Sequence, residues 1–568
     1  MRSVTKLPIG LPNKRWILPP YVFPVFVFVS SVFAFLPTLQ SGFIGWGNYE
    51  DLIQNPYYRG LSWNNLRWMF TTFHTDNYRP LTWLTFSSDY ALWGMNPVGY
   101  HLTSLLLHGV NALLAYFIAG RLLRLAFPIS AASQNMSLRA GASFAALVFS
   151  VHPLRTEAVA WLSARGHLLA ALFFLSTIVC YLRAANTVKD SAANWFWLAS
   201  ALILYSLSIL SQPSGITLPL VLLILDVYPL KRWGPGPVQW FGRQSQRVWW
   251  EKVPFLLLAV AAGLTGRMAK QNKVFAAGDL DTVRRLALTL YGLTFYGWKT
   301  LVPVGLSPGY EVRFHFDPWD WHFLISGLTV TVVSVVVFRT RHRWPVIAPS
   351  WFYYVLILGP YVGFVLPVIG NVENGRQITA DRYSYLACLP WCVLAGACLH
   401  SGWRGWSRQR RRFGILILGS APFVAILVTL MVLTWRQTQI WHDSYSLWAH
   451  AVEVTDRSES KSLIAHDHLG AALGEQGKLD EAIAHFSAAL RISPYYAQAH
   501  NNLGVALGEQ GKLDEAIAHF SAALRISPSY QQAHDNLERA LAKKQKLNEA
   551  VAQYSEAPRI DPTDHFTK

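Results

Sequence analysis

Apolar residues come in long unbroken blocks up to about residue 435, and after that at the three-to-four-residue spacing of an amphipathic helix. The blocks predict eleven membrane-crossing helices, near residues 16–36, 98–120, 141–160, 166–182, 193–210, 214–230, 254–267, 322–338, 346–368, 384–400 and 414–434. Residues 284–304 are long enough to cross, but counting them as a span would put Arg339, Arg341 and Arg343 on the outer side, so the stretch reads as an amphipathic helix lying at the outer interface. The first block has a basic flank and no small-residue cleavage site after it, which predicts an uncleaved anchor.

The amphipathic part repeats itself. Residues 473–494, LGEQGKLDEAIAHFSAALRISP, return letter for letter 34 positions later as residues 507–528. That is the period of the tetratricopeptide repeat, a helix pair that buries its apolar face only by stacking on the next pair. Leu469, Gly470, Ala482, Phe486, Ala489 and Pro494 recur as Leu503, Gly504, Ala516, Phe520, Ala523 and Pro528. A third, degraded copy keeps Leu537, Ala550, Tyr554, Ala557 and Pro562, with Glu538 in place of the glycine and Pro558 in the second helix, as a capping repeat would. The expected fold is therefore all-α: a polytopic membrane domain over 1–435, a connecting helix over 436–462, and a solenoid of three repeats over 463–568.

Composition agrees, since 52% of the 568 residues are hydrophobic and only 14% charged. A net charge of +17 could suggest nucleic acid as a partner, but its distribution argues against this. With a cytoplasmic N-terminus, the N-terminal segment and the alternate loops on its side hold 22 basic residues against two acidic ones, Asp190 and Glu251. That is the positive-inside asymmetry of a membrane protein, and eleven crossings then place the repeats outside the cytoplasm. Cys180, Cys388, Cys392 and Cys398 lie in apolar runs and form no disulfide framework.

On the same topology, unusual polar residues gather on the outer face. The external loop 37–97 carries Glu50, Asp51, Arg79 and Asp89; the third block carries His152, Arg155 and Glu157, followed by Arg165 and His167. Gln212 sits in a short turn, Lys299 near the end of the interfacial stretch, and Asp381, Arg382 and Tyr383 in the last external turn. Ionisable groups in or beside spans are costly unless paired or facing a wet cavity, so a functional site is the default reading, with structural ion pairs as the alternative. His101, His108 and Asn111 share one helix face and read as bundle packing.

In order along the chain, NYED, RGLSWNNLRWMFTT, NYRPLTWLT, MNPVGYHLTSLLLHGVNALL, HPLRTEAVAWLSARGHLLAALFFL, SQPSGITLPLVLLILDVYPL, ADRYSYL and RQTQIWHDSYSLWAHAV resemble bacterial members of the transmembrane and tetratricopeptide repeat-containing proteins. The resemblance covers nearly the whole chain, and it implies an integral protein of the bacterial inner membrane. It implies a GT-C type glycosyltransferase with a polyprenyl-phosphate sugar as donor, and its eukaryotic relatives are linked to O-mannosylation from dolichyl-phosphate mannose. The family's acidic pair falls on Glu50 and Asp51; it is Glu-Asp here where Asp-Asp is usual, so either carboxylate can be the catalytic one. Its His-Pro falls on His152 and Pro153, and its Ala-Asp-Arg-Tyr on residues 380–383.

The chemistry suits the residues. Transfer to a hydroxyl needs a carboxylate to accept the proton and cations to hold the leaving phosphate. Asp51 or Glu50 supplies the first; Arg79, Arg155, Arg165, Lys299 and Arg382 are candidates for the second, with His152, Glu157, Gln212, Asp381 and Tyr383 as further donor-site residues. No P-loop or dinucleotide fingerprint is present, so no nucleotide cofactor is expected; a divalent cation at Glu50 and Asp51 is the alternative. Two functions follow. One is a transferase that moves a sugar, mannose-like, onto a hydroxyl of an exported protein, the repeats docking the acceptor. The other is a membrane scaffold or lipid-linked glycan carrier without catalysis.

Overall fold

The computed structural model describes residues 19–127, 132–189, 191–233, 240, 242–269, 281–313, 316–362, 375–408, 413–457 and 462–556. The chain is an integral membrane protein: in hydrocarbon every backbone polar group must be satisfied within the segment, and the apolar blocks accordingly form helices. Among the described residues six helices are long and apolar enough to cross, Pro97–Ala126, Leu162–Ala184, Ala192–Ser211, Ser245–Ala269, Trp321–Thr340 and Gly419–Ile440. A seventh is the pair Asp381–Ala387 and Leu389–Arg404, bent by 53°. Three of the remaining expected spans fall on shorter helices, Val22–Ala34, Pro213–Val227 and Ile347–Leu358, and the fourth falls in part on Ala132–Ser150. The stretch read as interfacial is one helix, Thr282–Leu301, which meets Trp321–Thr340 through the first two turns of the latter, at Phe323, Ser326 and Gly327.

Small residues let the bundle close. An added Cβ at Gly396 would lie 2.3 Å from the Gly141 carbonyl oxygen, so these helices cross at backbone contact. His108 and Asn111 are packing residues, as expected: His108 accepts from the Tyr385 hydroxyl (2.8 Å) and donates to the Ser150 carbonyl (3.0 Å), while Asn111 donates to Tyr385 (3.1 Å) and to the Leu168 carbonyl (3.0 Å).

The structure corrects the expected third span. Its helix ends at Ser150, because Pro153 lacks an N–H and pushes His152 into extended backbone (φ −80°, ψ 133°). Residues 153–164 then run as short turns, Pro153–Arg155, Thr156–Ala160 and Leu162–Ala164, before the helix Arg165–Ala184 begins. His152, Arg155 and Glu157 thus lie in an irregular segment walled in by protein, the setting that non-helical backbone at membrane depth requires. A second departure is a two-stranded antiparallel ribbon, Tyr310–Arg313 with Gly375–Thr379, that pairs Tyr310 with Thr379.

After the turn that ends the last long helix, the connecting helix is Ser444–Arg457. The first two repeats form helix pairs, Leu463–Glu475 with Leu479–Ile492 and Ala497–Glu509 with Leu513–Ile526. Their turns use Gly477 and Gly511 in the left-handed region (φ +76° and +83°), and Gly470 and Gly504 admit the Phe486 and Phe520 rings, where a Cβ would sit 2.7 Å from each. The third copy has Gln545 at the turn and Glu538 at the slot. It runs on as a single helix, Gln531–Glu556. Pro558 lies outside the described residues. The solenoid core is continuous with the membrane domain: Ile44, Ala160, Trp161 and Ala164 pack in one cluster with Trp448, Leu469, Phe486 and Phe520.

Candidate functional site

The first loop delivers Asp51 on a π-helical turn, Tyr49–Ile53, that starts from Gly47 in left-handed backbone (φ +70°), whose carbonyl accepts from the Asp51 N–H at 2.9 Å. The turn separates the two neighbours. Asp51 is 3% exposed, whereas Glu50 is open to solvent. Asp51 Oδ1 accepts from Arg79 Nη2 (2.7 Å) and Thr75 Oγ1 (3.3 Å), and His74 Nε2 lies 3.8 Å away. Among the described residues none hydrogen-bonds to Oδ2. Thr75 is held at φ +51°, a strained conformation for a β-branched residue, with its hydroxyl shared between the His74 carbonyl (2.8 Å) and the carboxylate.

Arg79 stands 4.8 Å over the Trp83 ring and donates from Nη1 to the Ser163 carbonyl (3.2 Å). Asn48 Oδ1 accepts from the Ser163 N–H (3.0 Å) and hydroxyl (2.8 Å). The loop that carries Asp51 is therefore stitched to the irregular segment 152–167. On that segment, buried Glu157 pairs with Arg382, taking both the guanidinium and the Arg382 backbone N–H (2.8 Å). Arg382 also donates to the Tyr383 hydroxyl (3.1 Å), and Tyr383 stacks on Tyr361 at 4.2 Å. His167 meets Tyr383 edge-on, and close approach at Gly166 brings Gln212 Oε1 within 2.9 Å of where a Cβ would be.

Asp381 accepts from the Tyr310 hydroxyl at 3.0 Å, a partner supplied by the ribbon. Burial, reinforced by the Asp381 carboxylate, pushes the Tyr310 phenol up. Lys299 donates to the Val304 and Gly305 carbonyls (2.6 and 3.0 Å); burial lowers its ammonium from the ordinary value while Asp381 acts the other way. Arg155 is buried with no carboxylate within 4.0 Å among the described residues; it donates to the Phe149 carbonyl (3.1 Å) and to Ser384 Oγ (3.2 Å). His152 donates from Nε2 to the Thr300 carbonyl (3.0 Å) and accepts at Nδ1 from the Leu154 N–H.

Two groups of expected residues therefore flank one short stretch of chain. Arg79, which holds Asp51, lies against Ser163; Arg382, which holds Glu157 and Tyr383, lies over the Trp161 ring at 4.9 Å. Arg165 joins neither. Its guanidinium is taken up by Asp89, Ser104 Oγ (3.2 Å) and the Tyr100 carbonyl (2.6 Å), over the Phe86 ring. His74, Thr75, Ser163 and Tyr310 were not singled out in the sequence. Asp51 already shares Oδ1 with a guanidinium, and no three His, Cys, Asp or Glu converge among the described residues, so the donor set suits a divalent ion poorly.

Residues 469–531 match the family described as Tetratricopeptide repeat. The chain is 26% identical over 472 residues to Protein O-mannosyl-transferase Tmtc3 of Drosophila melanogaster, covering 73% of this chain and 48% of that one. It is 26% identical over 317 residues to human Protein O-mannosyl-transferase TMTC2, covering 54% and 34%. It thus spans about half or less of the length of these relatives. The crystal structure of ArnT from Cupriavidus metallidurans bound to undecaprenyl phosphate aligns with 89% of this chain and 79% of its own at 14% identity, with a TM-score of 0.35 too low to carry an argument. The chain is thus similar over 73% of its length to one protein O-mannosyl-transferase and over 54% to another, and its residues 469–531 are similar to the tetratricopeptide repeat.

Proposed function

We propose that this chain is a membrane glycosyltransferase of the GT-C type that moves a mannosyl-like sugar from a polyprenyl-phosphate donor to a hydroxyl of an exported protein, on the non-cytoplasmic face of a bacterial inner membrane. The observation that carries this reading is the Asp51 carboxylate: one oxygen is held by Arg79 and Thr75, and the other is left without a hydrogen bond from any described residue. A carboxylate fixed in this way can accept a proton without moving. The acceptor oxygen attacks the anomeric carbon, and its proton passes to Asp51 Oδ2. The bond from the anomeric carbon to the phosphate oxygen breaks with its electron pair going to the phosphate.

Arg382 and Arg79 are the cations we assign to the phosphate, since planar guanidiniums match its oxygens in pairs. Glu157 orients Arg382, and Lys299, Arg155 and Gln212 complete the polar wall. Arg165, tied to Asp89, serves the scaffold. No cofactor is invoked, and the repeats receive the acceptor polypeptide. The O-mannosyl-transferase names of the relatives support the sugar class.

The test is purified protein in nanodiscs with polyprenyl-phosphate mannose and a Ser/Thr peptide, read by the hexose mass shift on the peptide. Transfer by the parent that is lost in Asp51→Asn is expected. Lipid-linked sugar that copurifies and is never transferred would sink the enzyme reading and favour the carrier.

A further inference from the structure

An unbroken column of rings joins the site to the repeats. The Arg382 guanidinium lies over Trp161, and Trp161 lies flat on Trp46 (4.4 Å, 5°), donating from Nε1 to the Trp46 carbonyl at 2.9 Å. Trp46 meets Trp448 of the connecting helix edge-on (5.4 Å, 73°), and Trp448 stacks on His468 of the first repeat helix (4.4 Å, 18°). Hydrogen bonds run beside the rings: the Gly42 N–H donates to the His442 carbonyl (3.0 Å) and the Gly45 N–H to Ser444 Oγ (2.8 Å).

The same helix holds the opposite rim. His450 Nε2 donates to the Leu306 carbonyl at 3.1 Å, beside the Val304 and Gly305 carbonyls that take Lys299. The connecting helix therefore spans the loop that bears Asp51 and the loop whose carbonyls hold Lys299. The Asp51 turn is locked to this column as well, because an added Cβ at Gly47 would lie 2.9 Å from the Trp161 ring.

We infer that Trp46, Trp161 and Trp448 are positioning residues through which the seated repeat domain holds the Arg382 guanidinium and the Asp51 turn in place, so that the repeats govern the rate of transfer as well as acceptor capture. The bonds to Glu157 and the Tyr383 hydroxyl hold the Arg382 guanidinium by its edge, and the Trp161 ring beneath it fixes its plane. A domain that only docked the acceptor would act on association and leave the chemical step untouched. The inference rests on the transferase reading above.

The test is Trp448→Ala and Trp448→Phe in the full chain, in nanodiscs, with polyprenyl-phosphate mannose and a Ser/Thr peptide too short to reach the repeats. Trp448→Ala should lower kcat roughly tenfold to a hundredfold with KM for the peptide near the parent's, as slight misplacement of reacting groups does. It should also speed backbone hydrogen exchange over residues 44–51 and 380–383. Trp448→Phe should restore most of both. A Trp448→Ala variant with parental kcat and parental exchange overturns the inference. If that variant fails to fold, Ser444→Ala removes only the bond to Gly45, and exchange over 42–51 is expected to rise; unchanged exchange there overturns the inference equally. If the parent transfers no sugar, the transferase reading fails by itself, and hydrogen exchange still decides whether the repeats hold the site.

Discussion

Arg79 Nη2 donates to Asp51 Oδ1 at 2.7 Å, and the two side chains are 6% and 5% exposed. A buried pair of this kind is costly to break from one side, because the partner is left as an uncompensated charge. Here the pair also leaves the second carboxylate oxygen available, which separates Asp51 from its exposed neighbour Glu50 in chemistry as well as in position.

Asp51→Asn should therefore cut sugar transfer about a hundredfold or more, the usual loss for a positioned base. Glu50→Gln should stay within a few-fold of the parent. Turnover of both variants, with monodispersity as the folding control, checks this; the reverse ranking would move the catalytic role to Glu50.

Arg382→Lys keeps the charge but cannot bond Glu157 and Tyr383 together or lie flat on Trp161. We expect a loss of at least about tenfold in kcat/KM, the worth of one charge-assisted hydrogen bond of about 1.4 kcal/mol or more. Arg165→Lys, by contrast, should show itself first as a lower melting temperature, since that guanidinium serves Asp89 and the Tyr100 carbonyl. Donor-lipid affinity and thermal unfolding measured together separate the two.

Asp467 gives a pH test in the first repeat. It is fully buried, and burial pushes its carboxyl up to about 7 despite hydrogen bonds from Asn502 and Tyr496. The folded state thus binds the proton more tightly than the unfolded one, so stability falls as pH rises from about 4 towards 7 and is flat above. At about 1.4 kcal/mol per pH unit of displacement, ionisation costs the repeats a few kcal/mol. Asp467→Asn, which can keep both partners, should remove that slope and stabilise the repeats at pH 8. Hydrogen exchange of helix Leu463–Glu475 in the full chain at pH 5 and pH 8 reads it, and a slope that persists in the variant would show that another group carries the dependence.

If eleven crossings follow a cytoplasmic N-terminus, a membrane-impermeant maleimide added to intact cells should label a cysteine introduced at exposed Gln532. Labelling only after permeabilisation would reverse the assigned side, and helix Thr282–Leu301 would be the first segment to recount.

The elements themselves were legible in the chain. Ten of the eleven expected spans fall on helices, and the third on a helix for its first half only, since length and apolarity leave the backbone no other way to satisfy itself in hydrocarbon. Two repeats were legible from their period, and Glu538 announced that the third copy would differ. Its form follows from a second local change, Gln545 where the turn needs a glycine.

What no local pattern could settle was which charges meet. Glu157 finds Arg382 across 225 positions and Arg165 finds Asp89 across 76, so one arginine of the expected set joins the site and another braces the scaffold. The exposure of Glu50 and the burial of Asp51 depend on a π-helical turn and on Arg79 28 residues on. Hydrophobic periodicity is a property of neighbouring residues and is written along the chain. Partner choice among buried charges is set by where the whole bundle brings them, because each ion is stable there only in company that distant segments supply.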